Sequence, residues 1–342
     1  MRIQVNARNR AFQFDALPGE KILYAGLRAQ AALPYECATG TCGTCKARLV
    51  EGRIEDAWPE APGRKFLKAD RGEFLMCQCS AQGDLAIEVA SFVHPADPGE
   101  SRVGHVGGSV RSVRPLTHDV SAVEVTLDAP CEFEAGQFMA VSAPGVVGMR
   151  GYSMVNFEQP ARRLDFVVKR KPGGGFSEWL FSGNAVGARL EMFGPLGKAT
   201  FHPSAGKNIL CIAGGSGIAG MMSILGRAAA AGCMERHDFR VFFGIRTLRD
   251  AFFLQELSAF AKAQVTIALS EEDVPELVSK QWPGLRFERG LVHEAAKRAM
   301  AGRYQDVRAY LAGPPPAVEA SIRVLLLEAK LTADCIRYDK FS

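Results

Sequence analysis

The chain of 342 residues is long enough for two or three domains, and 47% hydrophobic with 23% charged residues is ordinary globular composition. Its 41 basic and 37 acidic residues leave a formal charge of +4 with no long basic run, which argues against a nucleic-acid partner. Met1 to Arg8 lacks the apolar core of a signal peptide, no stretch suits a membrane span, and nine cysteines do not make a secreted disulfide framework, so a cytoplasmic setting is expected.

In chain order, residues 3–6 and 11–14 read as a hairpin, 20–31 as a short helix, and 46–54 and 85–89 as later strands, a small mixed α/β module over 1–93. Cys37-x4-Cys42-x2-Cys45, followed by Cys77, has the spacing of a plant-type 2Fe-2S ligand set. The intervening residues from Ala38 to Thr44 are small, letting the backbone wrap closely and aim N–H groups at the sulfurs. A tetrahedral zinc site or plainly buried cysteines are the alternatives, but structural zinc usually takes paired ligand knuckles. Cys77-Gln78-Cys79 leaves two candidates for the fourth ligand. Cys77 is favoured, because strand alternation puts Cys79 one pleat further away. Cys131, Cys211, Cys233 and Cys335 are expected to be bystanders.

Residues 94–103 are polar and carry two prolines, the composition of a linker. Over 104–203 short β-rich runs at 122–127, 138–141 and 164–168, separated by glycine and proline turns, predict an antiparallel barrel. Within it, Arg150-Gly151-Tyr152-Ser153 precedes Pro172-Gly173-Gly174-Gly175-Phe176-Ser177 at a predicted helix start. Such a glycine loop offers N–H groups and a positive dipole end to a pyrophosphate. Tyr152 offers a flat ring and Ser153 a hydroxyl to a planar cofactor, although a tyrosine on a barrel strand is more often plain core.

From 204 to 342 apolar strands alternate with helices, predicting a parallel α/β unit. Gly214-Gly215-Ser216-Gly217-Ile218-Ala219-Gly220 lies between a strand at 209–213 and a helix from about 221, where a phosphate-binding turn belongs. The acid that holds a ribose 2'-hydroxyl at the end of the next strand is missing: Arg246 follows residues 239–244, and Asp250 is the nearest acid downstream. Arg246 suits a 2'-phosphate, a pyrophosphate or solvent, which leaves NADH and NADPH open. His118, His202, His237 and His293 are expected to be structural.

In this order of motifs the chain resembles the reductase components of bacterial multicomponent oxygenases, a plant-type ferredoxin fused to a ferredoxin-NADP reductase-like half. The likeness runs through the cysteine loop, Trp58-Pro59-Glu60-Ala61-Pro62-Gly63 and Arg150-x-Tyr152-Ser153, and is greatest to the reductases of toluene and soluble methane monooxygenase systems. It implies a multidomain α+β and α/β protein: a β-grasp ferredoxin module, an antiparallel β-barrel flavin domain and a parallel α/β nicotinamide-binding domain. It further implies FAD rather than FMN, with Arg150 on an FAD phosphate, Tyr152 and Ser153 on the isoalloxazine, and Gly174, Gly175 and Ser177 on the pyrophosphate. Lys169 matches a commonly basic flavin-side position. The glycine turn at Gly214, Gly215, Ser216, Gly217 and Ile218, with Arg246, Gly313 and Pro314, would hold the dinucleotide, NADH by resemblance. Phe341 resembles a terminal aromatic beside the flavin. Gly220 and Ala312 replace the family's proline and cysteine, which is expected to alter affinity and hydride transfer.

The activity implied is electron transfer from NAD(P)H through FAD and the cluster to an oxygenase component or an intermediary ferredoxin, by a monomer. The rival reading is a redox-sensing dinucleotide-binding flavoprotein with little turnover, motivated by Ala312 and Gly220. A zinc-stabilised scaffold without flavin is the third.

Overall fold

The structure, a computed structural model, describes residues 1–96 and 102–340. The expectation for Phe341 and the middle of the 94–103 segment lie outside the described residues.

The N-terminal unit contains β1 (Arg2–Ala7), β2 (Ala11–Asp15), α1 (Ile22–Arg28), β3 (Lys46–Glu51), β4 (Ile54–Asp56), β5 (Glu73–Leu75), β6 (Cys79–Ala81) and β7 (Leu85–Val89). Its main sheet has the order β2-β1-β7-β3-β5, with β1 and β7 parallel and the other pairs antiparallel. Ile3 and Val5 alternate into the core, as the hairpin pattern requires. The single strand expected over 46–54 is two: the chain turns out of the main sheet at Gly52, φ +96°, and β4 pairs instead with β6. The expected helix is shorter at both ends. Glu20 is drawn outside it, accepting the Leu17 N–H at 2.9 Å and binding Arg28 at 2.8 Å, and Gln30 takes φ +59°.

The second unit is a six-stranded antiparallel sheet of β8 (Gly104–Pro115), β9 (Val120–Cys131), β10 (Phe138–Ser142), β11 (Arg150–Ser153), β12 (Ala161–Lys169) and β13 (Arg189–Leu196), with α2 (Gly175–Phe181). Its order is β11-β10-β13-β8-β9-β12, and a Met154–Phe166 bridge joins its two ends into a barrel. Phe138 to Val141 are all buried because β10 serves two cores. Met139 and Val141 fill the barrel, whereas Phe138 and Ala140, with Phe193 and Leu196 of β13, pack against the N-terminal unit.

The third unit is an all-parallel sheet of β14 (Asn208–Gly214), β15 (Phe239–Ile245), β16 (Ala263–Leu269), β17 (Leu285–Arg289), β18 (Val307–Gly313) and β19 (Ile336–Lys340), ordered β17-β16-β15-β14-β18-β19. The helices α3 (Ile218–Ala230), α4 (Leu254–Ala259), α5 (Val278–Gln281), α6 (Val292–Met300) and α7 (Pro315–Arg323) cover it. Ile209, Cys211 and Ala213 face one core and Leu210 and Ile212 the other, which explains the continuous apolar run of β14. The strand order reverses between β14 and β18, the switch point where open α/β sheets bind ligands. The third unit is fastened to the barrel by Ser223, whose hydroxyl donates to Gly220 O and accepts the Gly136 N–H, both at 2.9 Å. An Arg227–Glu134 ion pair lies alongside. Among the described residues no helix is long and apolar enough to cross a membrane.

Candidate functional site

The cysteine loop is built as an anion cradle. Cys37 Sγ accepts N–H groups from Thr39, Thr41 and Cys42, each at 3.4 Å, and Cys42 Sγ accepts those of Cys37 and Thr44 at 3.5 Å. Cys45 and Cys77 bring their sulfurs to 3.1 Å, and Gln78 Nε2 donates to Cys77 at 3.3 Å. The contact with Cys42, followed by Thr41 and backbone N–H donors, draws the Cys37 thiol down to about 4. Pairing of the sulfurs pushes Cys42 and Cys45 upward. Crowded sulfurs with N–H donors aimed at Cys37 and Cys42 suit a cation in their midst, and the all-cysteine donor set suits iron. Cys79 stands apart: it lies in β6 opposite Asp56, and burial pushes its thiol up to about 12.

Three aromatic residues tie this loop to the barrel. Tyr24 of α1 donates its Oη to the Ala38 carbonyl at 3.0 Å and stacks its ring on Phe193. Tyr35 Oη accepts the Gly197 N–H at 3.2 Å. Trp58 lies under the Arg150 guanidinium, 4.6 Å from ring to carbon, and against Gly148. Sequence reasoning singled out only Trp58 among these contacts. Tyr24 sits in a run of buried residues from Ile22 to Gly26, where an inward aromatic signals only core.

On the barrel, Arg150 is half-buried and donates to Met149 O at 2.9 Å, so burial lowers its basicity. Tyr152 and Ser153 follow on the same strand. Tyr152 packs 5.1 Å from Phe176, and burial pushes its phenol up. Ser153 is buried and faces Gly220 in the first turn of α3, where a β-carbon would lie 3.4 Å from its own. Ser177 does a different task from a free phosphate donor: its hydroxyl accepts the Lys171 N–H at 3.0 Å and donates to the Lys171 or Gly174 carbonyl at 3.1 Å. It thereby staples the loop holding Gly174 and Gly175 at the start of α2. These groups suit a flat ring with an attached pyrophosphate, the cofactor of an FAD-binding barrel.

Gly214, Gly215 and Ser216 meet the ends of β15 and β18 around a cavity of about 250 Å³, with Arg246 and Pro314 on its wall. Gly217 lies so close to the Ala312 carbonyl that any side chain would collide, and Gly313 approaches Gly214 equally closely. Both turns are thus one construction, with Ile218 opening α3. The barrel closes the cavity from the other side with Asp119, Val120 and Lys169. The structure places Lys169 here, its ammonium 3.1 Å from Asp119. His118 stands 3.7 Å from Asp119 and 4.0 Å from Asp250, and Arg246 lies 4.0 Å from Asp250. Asp250 accepts the Thr247 N–H and hydroxyl, capping the short turn after β15. Asp119 had no local signal in the sequence, because its role depends on the barrel and the α/β unit meeting.

Family models match all three units: a 2Fe-2S iron-sulfur cluster binding domain at residues 5–82, an oxidoreductase FAD-binding domain at 108–201 and an oxidoreductase NAD-binding domain at 211–323. The ferredoxin–NAD(P)+ reductase CarAd of Metapseudomonas resinovorans is 37% identical over 94% of this chain and 95% of its own length. The xylene/toluene monooxygenase electron transfer component XylA of Pseudomonas putida is 33% identical over 93% of this chain and 87% of its own. Among solved structures, the ferredoxin reductase in carbazole 1,9a-dioxygenase superposes with a TM-score of 0.83 at 35% identity, covering 100% of this chain and 99% of that one. The Amycolatopsis cytochrome P450 reductase GcoB gives 0.79 at 27% identity, covering 99% and 98%.

Proposed function

The chain belongs to the family of iron-sulfur flavoprotein ferredoxin–NAD(P)+ reductases that serve oxygenase systems, and from that premise we propose how its residues divide the work. FAD and the 2Fe-2S cluster, when bound, would supply hydride acceptance from the nicotinamide and the division of its electron pair into single electrons. The glycine turn at Gly214–Gly217, with Gly313 and Pro314, holds the dinucleotide. Arg150 and the loop at Gly174, Gly175 and Ser177 hold the FAD phosphates, while Tyr152 and Ser153 orient the ring. Cys37, Cys42, Cys45 and Cys77 ligate the iron. NADH is the donor, the acceptor is an oxygenase component or its intermediary ferredoxin, and the protein works as a cytoplasmic monomer.

The observation that carries this reading is the seating of the cysteine loop on the barrel, through Tyr24 on Phe193 and Trp58 under Arg150 of the proposed flavin strand. Such packing fixes donor and acceptor within one body. Anaerobic addition of NADH in excess of the three electrons that FAD and the cluster together accept should bleach both the flavin and the cluster absorbance, and an added acceptor should restore both. Bleaching of flavin alone, with the cluster still oxidised, would reject the proposed order.

A further inference from the structure

The cysteine loop is covered at Gly40 and Gly43 by the segment from Pro62 to Phe66. Gly63 donates its N–H to Gly40 O at 2.7 Å, and the Phe66 ring lies on Gly43, between the ligands Cys42 and Cys45. Gly43, at φ +76°, leaves no room for a side chain under that ring. Phe66 is nonetheless 50% exposed, and Cys42, next to Gly43, is the partly exposed cysteine of the four. Buried hydrophobic segments need no such exposed ring. In the stretch from Pro62 to Arg71, Arg64, Lys65, Lys68 and Arg71 outnumber the single acid Asp70, and Glu73 just beyond it accepts the Lys68 N–H at 2.7 Å. Lys65 sits 5.1 Å from the Phe66 ring, and among the described residues Arg64 is the one of the four cations held in an ion pair, with Asp56.

Resting on the proposed function, we propose that this basic face centred on Phe66 is the docking surface for the electron acceptor, a protein presenting acidic side chains around an apolar spot. An aromatic anchor inside a rim with an excess of one charge is the form of an electrostatically steered interface. The face also lies directly over the loop that holds the cluster. Each encounter moves one electron from the reduced cluster to an oxidised metal centre in the partner, with no proton transferred, so one NADH supports two encounters.

The test uses the loaded full-length protein with cytochrome b5 as an acidic probe and cytochrome c as a basic one. Binding of oxidised cytochrome b5, followed by titration, should weaken at least tenfold in a Lys65→Glu/Lys68→Glu/Arg71→Glu variant, and its reduction rate should fall in parallel. The parent's rate should drop with added salt. The same variant should reduce cytochrome c faster than the parent does, and should keep its cluster spectrum and its ferricyanide rate. Phe66→Leu keeps Gly43 covered and should weaken cytochrome b5 binding severalfold without loss of iron. Equal binding of cytochrome b5 by parent and charge-reversed protein, while NADH still bleaches the cluster, would overturn the surface and leave the electron path standing. A parent that prefers cytochrome c, or one that forms dimers dissolved by Phe66→Leu, would overturn it as well. Failure of NADH to bleach the cluster in the parent would instead reject the underlying function.

Discussion

Tyr24 lies flat on Phe193, ring centroids 4.0 Å apart and planes 8° from parallel, so the helix beside the cysteine loop is stacked on a strand of the barrel. Burial pushes the Tyr24 phenol well up, which keeps its hydroxyl a donor to Ala38 O. One side chain therefore fixes both the loop and its distance from the barrel. Tyr24→Phe should cost about 1–2 kcal/mol in denaturant unfolding, since it leaves the Ala38 carbonyl unpaired. Tyr24→Leu should cost more and slow cluster reduction by NADH several-fold, with flavin reduction unchanged in stopped flow. Equal cluster reduction rates in Tyr24→Leu and the parent would show that the stack does not set the distance.

The fourth cluster ligand is open to direct test. Cys77 approaches Cys45 at 3.1 Å and takes a hydrogen bond from Gln78, whereas Cys79 is embedded in β6 with its thiol held up by burial. Cys77→Ala should lose iron and acid-labile sulfide, and Cys79→Ala should retain both. The opposite pattern would transfer the ligand role to Cys79.

Much of this architecture was legible in the sequence because it depends on local rules. The N-terminal hairpin, the cysteine spacing and the glycine turn before α3 each need only neighbouring residues. The strand split at Gly52 was missed because 46–54 is apolar enough for one strand, and only pairing with β6 explains the turn. Lys169 shows the other limit. Its place at the end of β12 was readable, but the wall it faces belongs to the α/β unit, and no periodicity reports that contact. Residues 138–141 read as one run of the barrel, yet the side chains of Phe138 and Ala140 pack against the N-terminal unit.

Lys169 and Arg246 are the cations on the wall of the cavity proposed for the dinucleotide, each near an acid, Asp119 and Asp250. An arriving pyrophosphate offers both a second partner. Lys169→Ala should raise the NADH dissociation constant by about tenfold, the scale of one charge-assisted hydrogen bond, with FAD content unchanged. Loss of FAD with unchanged NADH affinity would return Lys169 to the flavin. Arg246→Ala should lower NADPH affinity more than NADH affinity if its guanidinium meets a 2'-phosphate, as paired titrations would show.

Asp339 of β19 gives the protein a pH dependence with a definite sign. It is buried beside a three-unit cavity of about 340 Å³ lined by Tyr35, Glu36 and Lys198, and burial, followed by the charge of Glu36, raises its carboxyl to about 7. A folded-state value above the ordinary 3.8 means that the native chain binds this proton more tightly than the unfolded one. Stability from this group is therefore full below about pH 4 and is lost as pH rises towards 7, beyond which the contribution is constant. The loss is on the order of 1–3 kcal/mol, given 1.36 kcal/mol per unit and relaxation around a buried charge. Asp339→Asn keeps the shape and removes the titration, so its unfolding free energy should stay flat between pH 5 and 8 relative to the falling parent. The two curves should meet near pH 4 and diverge from there to about pH 7. Parallel curves across that range would show that Asp339 is already ionised in the folded protein, with a cation or water supplying what burial removes.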